Sequence, residues 1–274
     1  MKTAGIIFNP EKKRAVDEMK KFKGILQKKK CRAVVIPSDS KKLPPLDFAL
    51  ALGGDGTMLK ASRLLAPAGV PVLGVNMGSL GFLAETTPEE APRVIADIIS
   101  ENYTLEERMM LDIAITSKGG TKHELALNDC TIHSGMSGRV INIKANINED
   151  FLADYLGDGV IISTPTGSTA YSLAASGPIV HPHLSLFVIT PICPHTLTQR
   201  PLILSTHHNL TFAAEFKNRT EVPLVSVDGQ LNHSLAKGDK VVISASGDPL
   251  KLILNPKRKY FQVLRAKLKW GERG

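Results

Sequence analysis

The sequence predicts two unlike halves: an α/β half with a parallel sheet over residues 1–105, then a predominantly β half over residues 106–254. Three observations carry that division. Up to residue 105, short apolar runs alternate with segments of helical period, the order that builds parallel sheets with crossover helices. Beyond it, helical periodicity nearly disappears, and short β-branched runs recur between Gly, Asn, Asp and Pro. At 274 residues the chain is also long enough for one large or two medium domains, each with a core of its own.

In chain order, residues 5–8 form a short apolar strand that stops at Asn9 and Pro10. Ala15, Val16, Met19, Phe22, Ile25 and Leu26 follow at spacings of one, three and four, an amphipathic helix with lysines on its outer face. Residues 31–36 are a second, β-branched strand ended by Pro37. A polar connection leads to the apolar run 48–52, a buried strand that breaks into Gly53, Gly54, Asp55, Gly56 and Thr57. Met58, Leu59, Ala61, Leu64 and Leu65 then mark a helix. Residues 70–75 form another strand, followed by a second Gly-containing loop over 76–82. Thr87 as cap and Pro88 in the first turn start a helix that runs to about Ser100.

In the second half, strands are expected at 111–116, 124–133, 140–147, 159–163, 186–190, 202–204, 210–216, 224–227 and 240–244. Asp228 and Gly229 are a hairpin signal. A helical stretch after Pro165 is the exception, and residues 260–269 are mixed in pattern, which allows the segment 255–274 to pack back on the first half.

Composition narrows the class. Hydrophobic content of 43% with 22% charged residues is that of a soluble globular protein. No apolar run approaches the roughly 20 residues of a membrane span, and MKTAGIIFNP lacks the apolar region of a signal peptide, so a cytoplasmic protein without a membrane partner is expected. Cys31, Cys130 and Cys193 are odd in number and scattered, which indicates neither a disulfide framework nor a zinc site. The net charge of +8 suits phosphate-rich ligands. Its basic clusters at 12–14, 28–30 and 257–259 carry no interleaved aromatics, and they read as solvated faces rather than a nucleic-acid platform.

The loop at 53–57 carries the first chemistry. Its glycines let the backbone approach a bulky anion, and it opens a helix whose free N–H groups favour phosphate. A carboxylate among phosphates is repulsive unless it holds a metal ion or takes a proton from a hydroxyl being phosphorylated. The alternative is an ordinary strand-to-helix turn with Asp55 as a cap. Residues 157–178 carry the second: Thr164, Thr166, Ser168 and Thr169 offer hydroxyls to ribose, base edges or phosphate, and Tyr171 offers a stacking face. A Ser/Thr-rich turn is the alternative there. Asn128 and Asp129 suit the two hydroxyls of a ribose, or form a simple Asx turn. His195 reads as structural, and Cys130 lacks a base. Neither a Walker loop nor the protein-kinase HRD and DFG set is found.

Taken together, GGDGT at 53–57, NMGSLGFL at 76–83, Asn128 with Asp129, GDG at 157–159, TPTGSTAYSL at 164–173 and PICPHTL at 191–197 resemble the NAD kinases, over roughly residues 5–230. GGDG alone is shared with diacylglycerol, sphingosine and 6-phosphofructokinases. The resemblance implies a Rossmann-like α/β domain, a β-sandwich-like C-terminal domain and a dinucleotide lying between them. It implies transfer of the γ-phosphoryl group of ATP, with a divalent metal such as Mg²⁺, to the 2'-hydroxyl of the NAD adenosine ribose, giving NADP.

Carried onto this chain, the resemblance makes Asp55 the proton acceptor and lays Gly56 against the dinucleotide. Asn128 and Asp129 hold ribose, and Asp158, Thr169, Ala170, Tyr171, Ser172, Leu173 and Ala174 supply the remaining contacts. Lys60, Arg139 and Gln230 occupy positions where members often place ligand-contacting side chains. It also implies a homodimer or homotetramer in which a neighbouring subunit often contributes to the site. Two departures stand out: many members have Asn-Glu in place of Asn128 and Asp129, and many carry Lys or Arg where this chain has Leu156. A lipid or sugar kinase on the same loop is disfavoured by the second-half motifs, and a dinucleotide sensor by the retention of Asp55.

Overall fold

Strands and helices follow one another as the alternation requires. The computed structural model describes residues 1–37, 40, 42–78, 81–84, 86–135, 139–215 and 222–271. It divides into two compact units, Met1–Glu107 with Pro249–Gly274, and Arg108–Asp248. The first unit runs β1 (Thr3–Phe8), α1 (Lys13–Lys28), β2 (Arg32–Pro37), β3 (Phe48–Gly53), α2 (Asp55–Leu65), β4 (Val72–Asn76), α3 (Ala91–Ile99) and β5 (Leu105–Arg108). The second adds β6 (Leu111–Ser117), β7 (Gly120–Ala126), β8 (Asp129–His133), β9 (Ile141–Ile147), β10 (Asp150–Gly157) and β11 (Gly159–Ser163). A 3-10 turn (Thr166–Thr169) and a one-turn helix α4 (Tyr171–Ala174) interrupt it before β12 (Leu186–Ile192) and β13 (Leu202–Ser205). It ends with β14 (Leu210–Glu215), β15 (Leu224–Val227), β16 (Leu231–Ser234) and β17 (Lys240–Ala245). The chain then returns to the first unit as β18 (Leu250–Ile253) and α5 (Tyr260–Leu268).

In the first unit the sheet order is β2-β1-β3-β4-β18-β5. β1 pairs in parallel with β2 and β3, and β4 pairs in parallel with β3 and β18. β3 is buried at every position, as expected of a central parallel strand covered on both faces. α1 turns Ala15, Phe22 and Leu26 inward, while its lysines stay in water. The start of α3 differs from expectation by one turn. Thr87 and Glu90 form a reciprocal capping box: the Glu90 N–H donates to Thr87 Oγ1 at 3.4 Å, and the Thr87 N–H donates to Glu90 Oε2 at 3.2 Å. Regular helix begins only at Ala91, because residues 88–90 are a turn.

The second unit consists of two six-stranded sheets, β10-β9-β14-β17-β6-β7 and β13-β12-β11-β8-β15-β16. They share one core, in which Ile113, Ile143, Phe212 and Val241 of the first sheet meet Ile132, Ile162, Phe187 and Val225 of the second. The run 124–133, expected as one strand, is two: β7 ends at Ala126 and β8 begins at Asp129, with a break at Leu127 and Asn128. β5, β10, β16 and β18 were not legible in the hydrophobic pattern. β10 and β16 lie at or next to sheet edges and are largely exposed, and β5 is charged, so they lack the apolar alternation that marks a half-buried strand. Phe216, the expected end of the strand from 210, and Ser79 and Leu80 of the second Gly loop lie outside the described residues. Among the described residues no helix is long and apolar enough to cross a membrane.

Candidate functional site

The end of β3 meets the start of α2 through Gly53 and Gly54. Gly53 is required by close packing, since a Cβ there would overlap the Thr57 side chain. Gly54 is the N-cap residue, and no side chain caps the helix, so Asp55 does not serve as the cap that a plain strand-to-helix turn would make of it. Its carboxylate reaches the loop after β4 instead. Asp55 Oδ2 accepts the N–H of Phe82 at 3.0 Å, and Oδ1 accepts those of Leu83 at 3.1 Å and Ala84 at 3.3 Å. The two Gly-containing loops, read separately in the sequence, are therefore joined through this one side chain. Gly81 is part of the junction, because a Cβ there would collide with the Asp55 carboxylate. Gly56 and Lys60 are exposed on the first turns of α2.

In the second unit an open cavity of about 630 Å³ is lined by Asn128, Asp129, Asp158, Ala170, Tyr171 and Asp228, among others. The break between β7 and β8 places the first two. Asn128 is held on both sides of its backbone: its N–H donates to Asp228 Oδ1 at 2.8 Å, and its carbonyl accepts the Thr164 N–H at 2.9 Å. Gly167 packs so tightly on that carbonyl that any Cβ would overlap it. Thr164 Oγ1 bridges the arrangement, donating to the Leu127 carbonyl at 2.6 Å and accepting the Gly167 N–H at 3.1 Å.

The hydroxyl-rich run after β11 divides between cavity and scaffold. Ala170 and Tyr171 line the cavity, and the Tyr171 ring is 49% exposed. Ser168 and Ser172 are fully buried: Ser168 Oγ donates to the Pro165 carbonyl at 2.7 Å, and Ser172 Oγ lies 2.9 Å from Thr190 Oγ1. Thr169 Oγ1 donates to the Thr166 carbonyl at 3.3 Å. These hydroxyls hold the loop in shape. Thr169, Ser172, Leu173 and Ala174 are not among the cavity's lining residues, and neither are Arg139 and Gln230. Arg139 is exposed, and the Gln230 N–H closes the β15–β16 turn on the Val227 carbonyl at 2.9 Å.

The electrostatics of the cavity are unusual. Asp129 is only 5% exposed, and burial, followed by the charge of Asp228, pushes its carboxyl up to about 7. His133 also lines the cavity; burial lowers its proton affinity, and its Nδ1 accepts the Gly135 N–H at 3.1 Å, which leaves the proton of the neutral ring on Nε2. The Cys193 thiol is hydrogen-bonded to Asp158, and that carboxylate raises its pKa. Such a wall presents an amide, the three carboxyl groups of Asp129, Asp158 and Asp228 and an aromatic face, a set suited to a ligand with paired hydroxyls and a planar ring. His133 was not singled out by sequence reasoning, and Thr164 and Gly167 were read as part of the hydroxyl-rich loop rather than as the support of Asn128. Asp228 was visible only as half of a turn signal.

Comparison with known proteins places both units. The ATP-NAD kinase N-terminal domain family matches residues 43–103, and the ATP-NAD kinase C-terminal domain family matches residues 127–255. An NAD kinase of Trichlorobacter lovleyi is 44% identical over 231 residues, 83% of this chain and 80% of that protein. One of Geobacter sulfurreducens is 43% identical over 244 residues, 88% of this chain and 84% of that protein. Among solved structures, yeast NADH kinase complexed with NADH matches with a TM-score of 0.90 at 25% identity, over 100% of this chain and 89% of that one. An NAD kinase from Archaeoglobus fulgidus in complex with ATP shares the fold, with a TM-score of 0.80 at 24% identity over 97% and 98% of the two chains.

Proposed function

The chain belongs to the ATP-NAD kinase family, and from that premise we propose that it transfers the γ-phosphoryl group of ATP to the 2'-hydroxyl of the NAD adenosine ribose, giving NADP. The observation that carries the acceptor side is the pairing of Asn128 and Asp129 on the wall of the 630 Å³ cavity, beside the half-exposed ring of Tyr171. An amide and a carboxyl held this rigidly take the two hydroxyls of a ribose, and the ring takes a planar base. Asp158 and Ala170 complete the wall. Thr169, Ser172, Leu173 and Ala174 act behind it, by fixing the loop that presents Tyr171.

Asp55 is the proton acceptor in this reading, and Gly56 lies where the chain stays thin enough for a nucleotide. The three N–H groups on the Asp55 carboxylate fix its direction, and orientation is most of what phosphoryl transfer asks of a protein. Among the described residues no cluster of three or more His, Cys, Asp or Glu is arranged to hold a metal. In the proposal Mg²⁺ enters with the ATP phosphates, as is usual for this ion. Lys60, Arg139 and Gln230 are further ligand contacts of the proposal, and cytoplasmic homodimers or homotetramers are its assembly.

The test is direct. The protein is incubated with ATP and Mg²⁺ together with NAD, diacylglycerol or fructose 6-phosphate, and the phosphorylated product is identified. Phosphorylation of NAD alone, at the 2'-position, is expected; modification of the lipid or the sugar, or of none, overturns the proposal. Asp55→Asn is nearly isosteric and is expected to keep the circular dichroism spectrum while losing about 100- to 10,000-fold in turnover. Near-parental turnover in that variant would remove Asp55 from its role.

A further inference from the structure

Asp228 has no role in the reading above, yet it is the most heavily engaged side chain of the cavity. It occupies the first central position of the turn between β15 and β16, with φ of 51°, and Gly229 follows with φ of 62°. Both fall in the left-handed region, which Asp and Gly tolerate better than branched residues do. From there its carboxylate accepts three consecutive backbone N–H groups: Leu127 on Oδ2 at 3.2 Å, and Asn128 and Asp129 on Oδ1 at 2.8 and 3.2 Å. Its own N–H donates to the Asp129 carbonyl at 2.9 Å.

The segment it grips spans the break between β7 and β8, where Leu127 and Asn128 leave the ladder and Asp129, opposite Ser163, opens β8. The directions of the Asn128 and Asp129 side chains therefore depend on a carboxylate 100 residues further along. We infer that Asp228 is a positioning residue for the dinucleotide: it gathers the N–H groups of residues 127–129 into one fixed turn, and its own charge beside residue 129 helps Asp129 to keep a proton until the ligand arrives. The inference rests on the reading that the dinucleotide occupies this cavity.

The surroundings support a protonated Asp129. Burial and the charge of Asp228 both raise the proton affinity of Asp129, and only the Thr131 hydroxyl, 3.4 Å from Asp129 Oδ1, opposes them. Cys130, next on β8, is fully buried, and its thiol is pushed far up and stays neutral. Burial also lowers the proton affinity of His133, on the same strand. From the β10–β11 turn Asp158 adds a further carboxylate, with the thiol of Cys193 bonded to it. None of the described lining residues is Lys or Arg, so the proton is the positive charge available to the pair.

Ribose hydroxyls that donate to Asp129 prefer it ionised. Binding of NAD must then expel the proton, and affinity falls as the pH drops below about 7, by at most tenfold for each pH unit.

The experiment is calorimetric titration with NAD alone, from pH 5.5 to 8.5, on the parent protein and on Asp228→Asn, Asp129→Asn and Asn128→Ala. In the parent, binding below pH 7 should release close to one proton, read from the difference in heat between two buffers. Asp228→Asn keeps the shape but sets an amide N–H₂ against the N–H of Leu127. It should weaken binding roughly tenfold or more at pH 8, and the pH at which affinity declines should move downward, because the like charge is gone. Parental Kd values throughout, with Asn128→Ala weakened, would overturn the inference and leave the cavity reading intact. A uniform loss with an unshifted pH profile would reduce Asp228 to a structural residue and overturn its effect on the Asp129 proton. Parental binding by Asn128→Ala would remove the dinucleotide from the cavity, and the inference with it. Should Asp228→Asn fail to fold, Asp129→Asn decides: the pH dependence near 7 must vanish, and its persistence refutes the proton on Asp129.

Discussion

Replacing Asp129 by Asn should make the protein more stable, and increasingly so as the pH rises. Folding lifts this carboxyl from the ordinary value of about 3.9 to about 7. A proton affinity that is higher in the folded state contributes stability that is fully present below pH 3.9 and lost as the pH climbs through 7. At 1.36 kcal/mol for each pKa unit, the loss across that window is about 4 kcal/mol. That figure is an upper bound, because the cavity admits water.

Asparagine cannot ionise, so the variant escapes the loss. At pH 4.5 the parent carries a neutral acid at 129, and the two proteins should agree within about 1 kcal/mol. By pH 8 the variant should lead by about 2 to 4 kcal/mol. Urea unfolding of both proteins at half-unit pH steps reads this as a widening gap between midpoints at constant slope. Subtracting one protein from the other removes the titration of every group they share. A gap that stays constant with pH, or widens toward acid, would refute the reasoning. An acid that lowers stability at working pH is the pattern of a residue kept for binding rather than for folding.

Three substitutions probe the scaffold around the two loops. Gly167→Ala forces a Cβ onto the Asn128 carbonyl, and it should cost about 1 to 3 kcal/mol in urea unfolding and raise KM for NAD. Tyr171→Ala removes a ring that is 49% exposed; KM for NAD should rise several-fold, with Tm within about 2 °C of the parent, and a collapse of Tm would mean that the ring belongs to the core. Gly81→Ala drives a methyl group into the Asp55 carboxylate. It should lower kcat by roughly 100-fold while the KM for NAD changes much less, as steady-state kinetics on the purified variant will show.

Much of the architecture was legible in the chain. Alternation of apolar runs with helical period announced the parallel sheet, and the buried run ending in Gly53 announced the loop that carries Asp55, because a strand covered on both faces leaves an unbroken apolar signature. Motif order identified the family, which the comparisons bear out. What escaped was whatever lacked a hydrophobic signature. β10 and β16 are largely exposed, and the break at Asn128 was hidden because the strand pattern resumes directly after it at Cys130, so that two polar residues read as an interruption within one strand.

Local composition thus determined which segments become strands and helices, where the glycine loops fall, and which side chains bear chemistry, since propensity and periodicity act over a few residues. Tertiary structure alone decided what those side chains touch. It carried the Asp55 carboxylate away from its own helix to the amides of residues 82–84. It also brought Asp228 back across 100 residues to Asn128. Both are contacts of a charged group with backbone N–H groups, and every residue but proline owns an N–H. The acceptor is written in the sequence, but its partners are chosen only when the folded chain brings particular amides within 3.3 Å and leaves the rest out of reach.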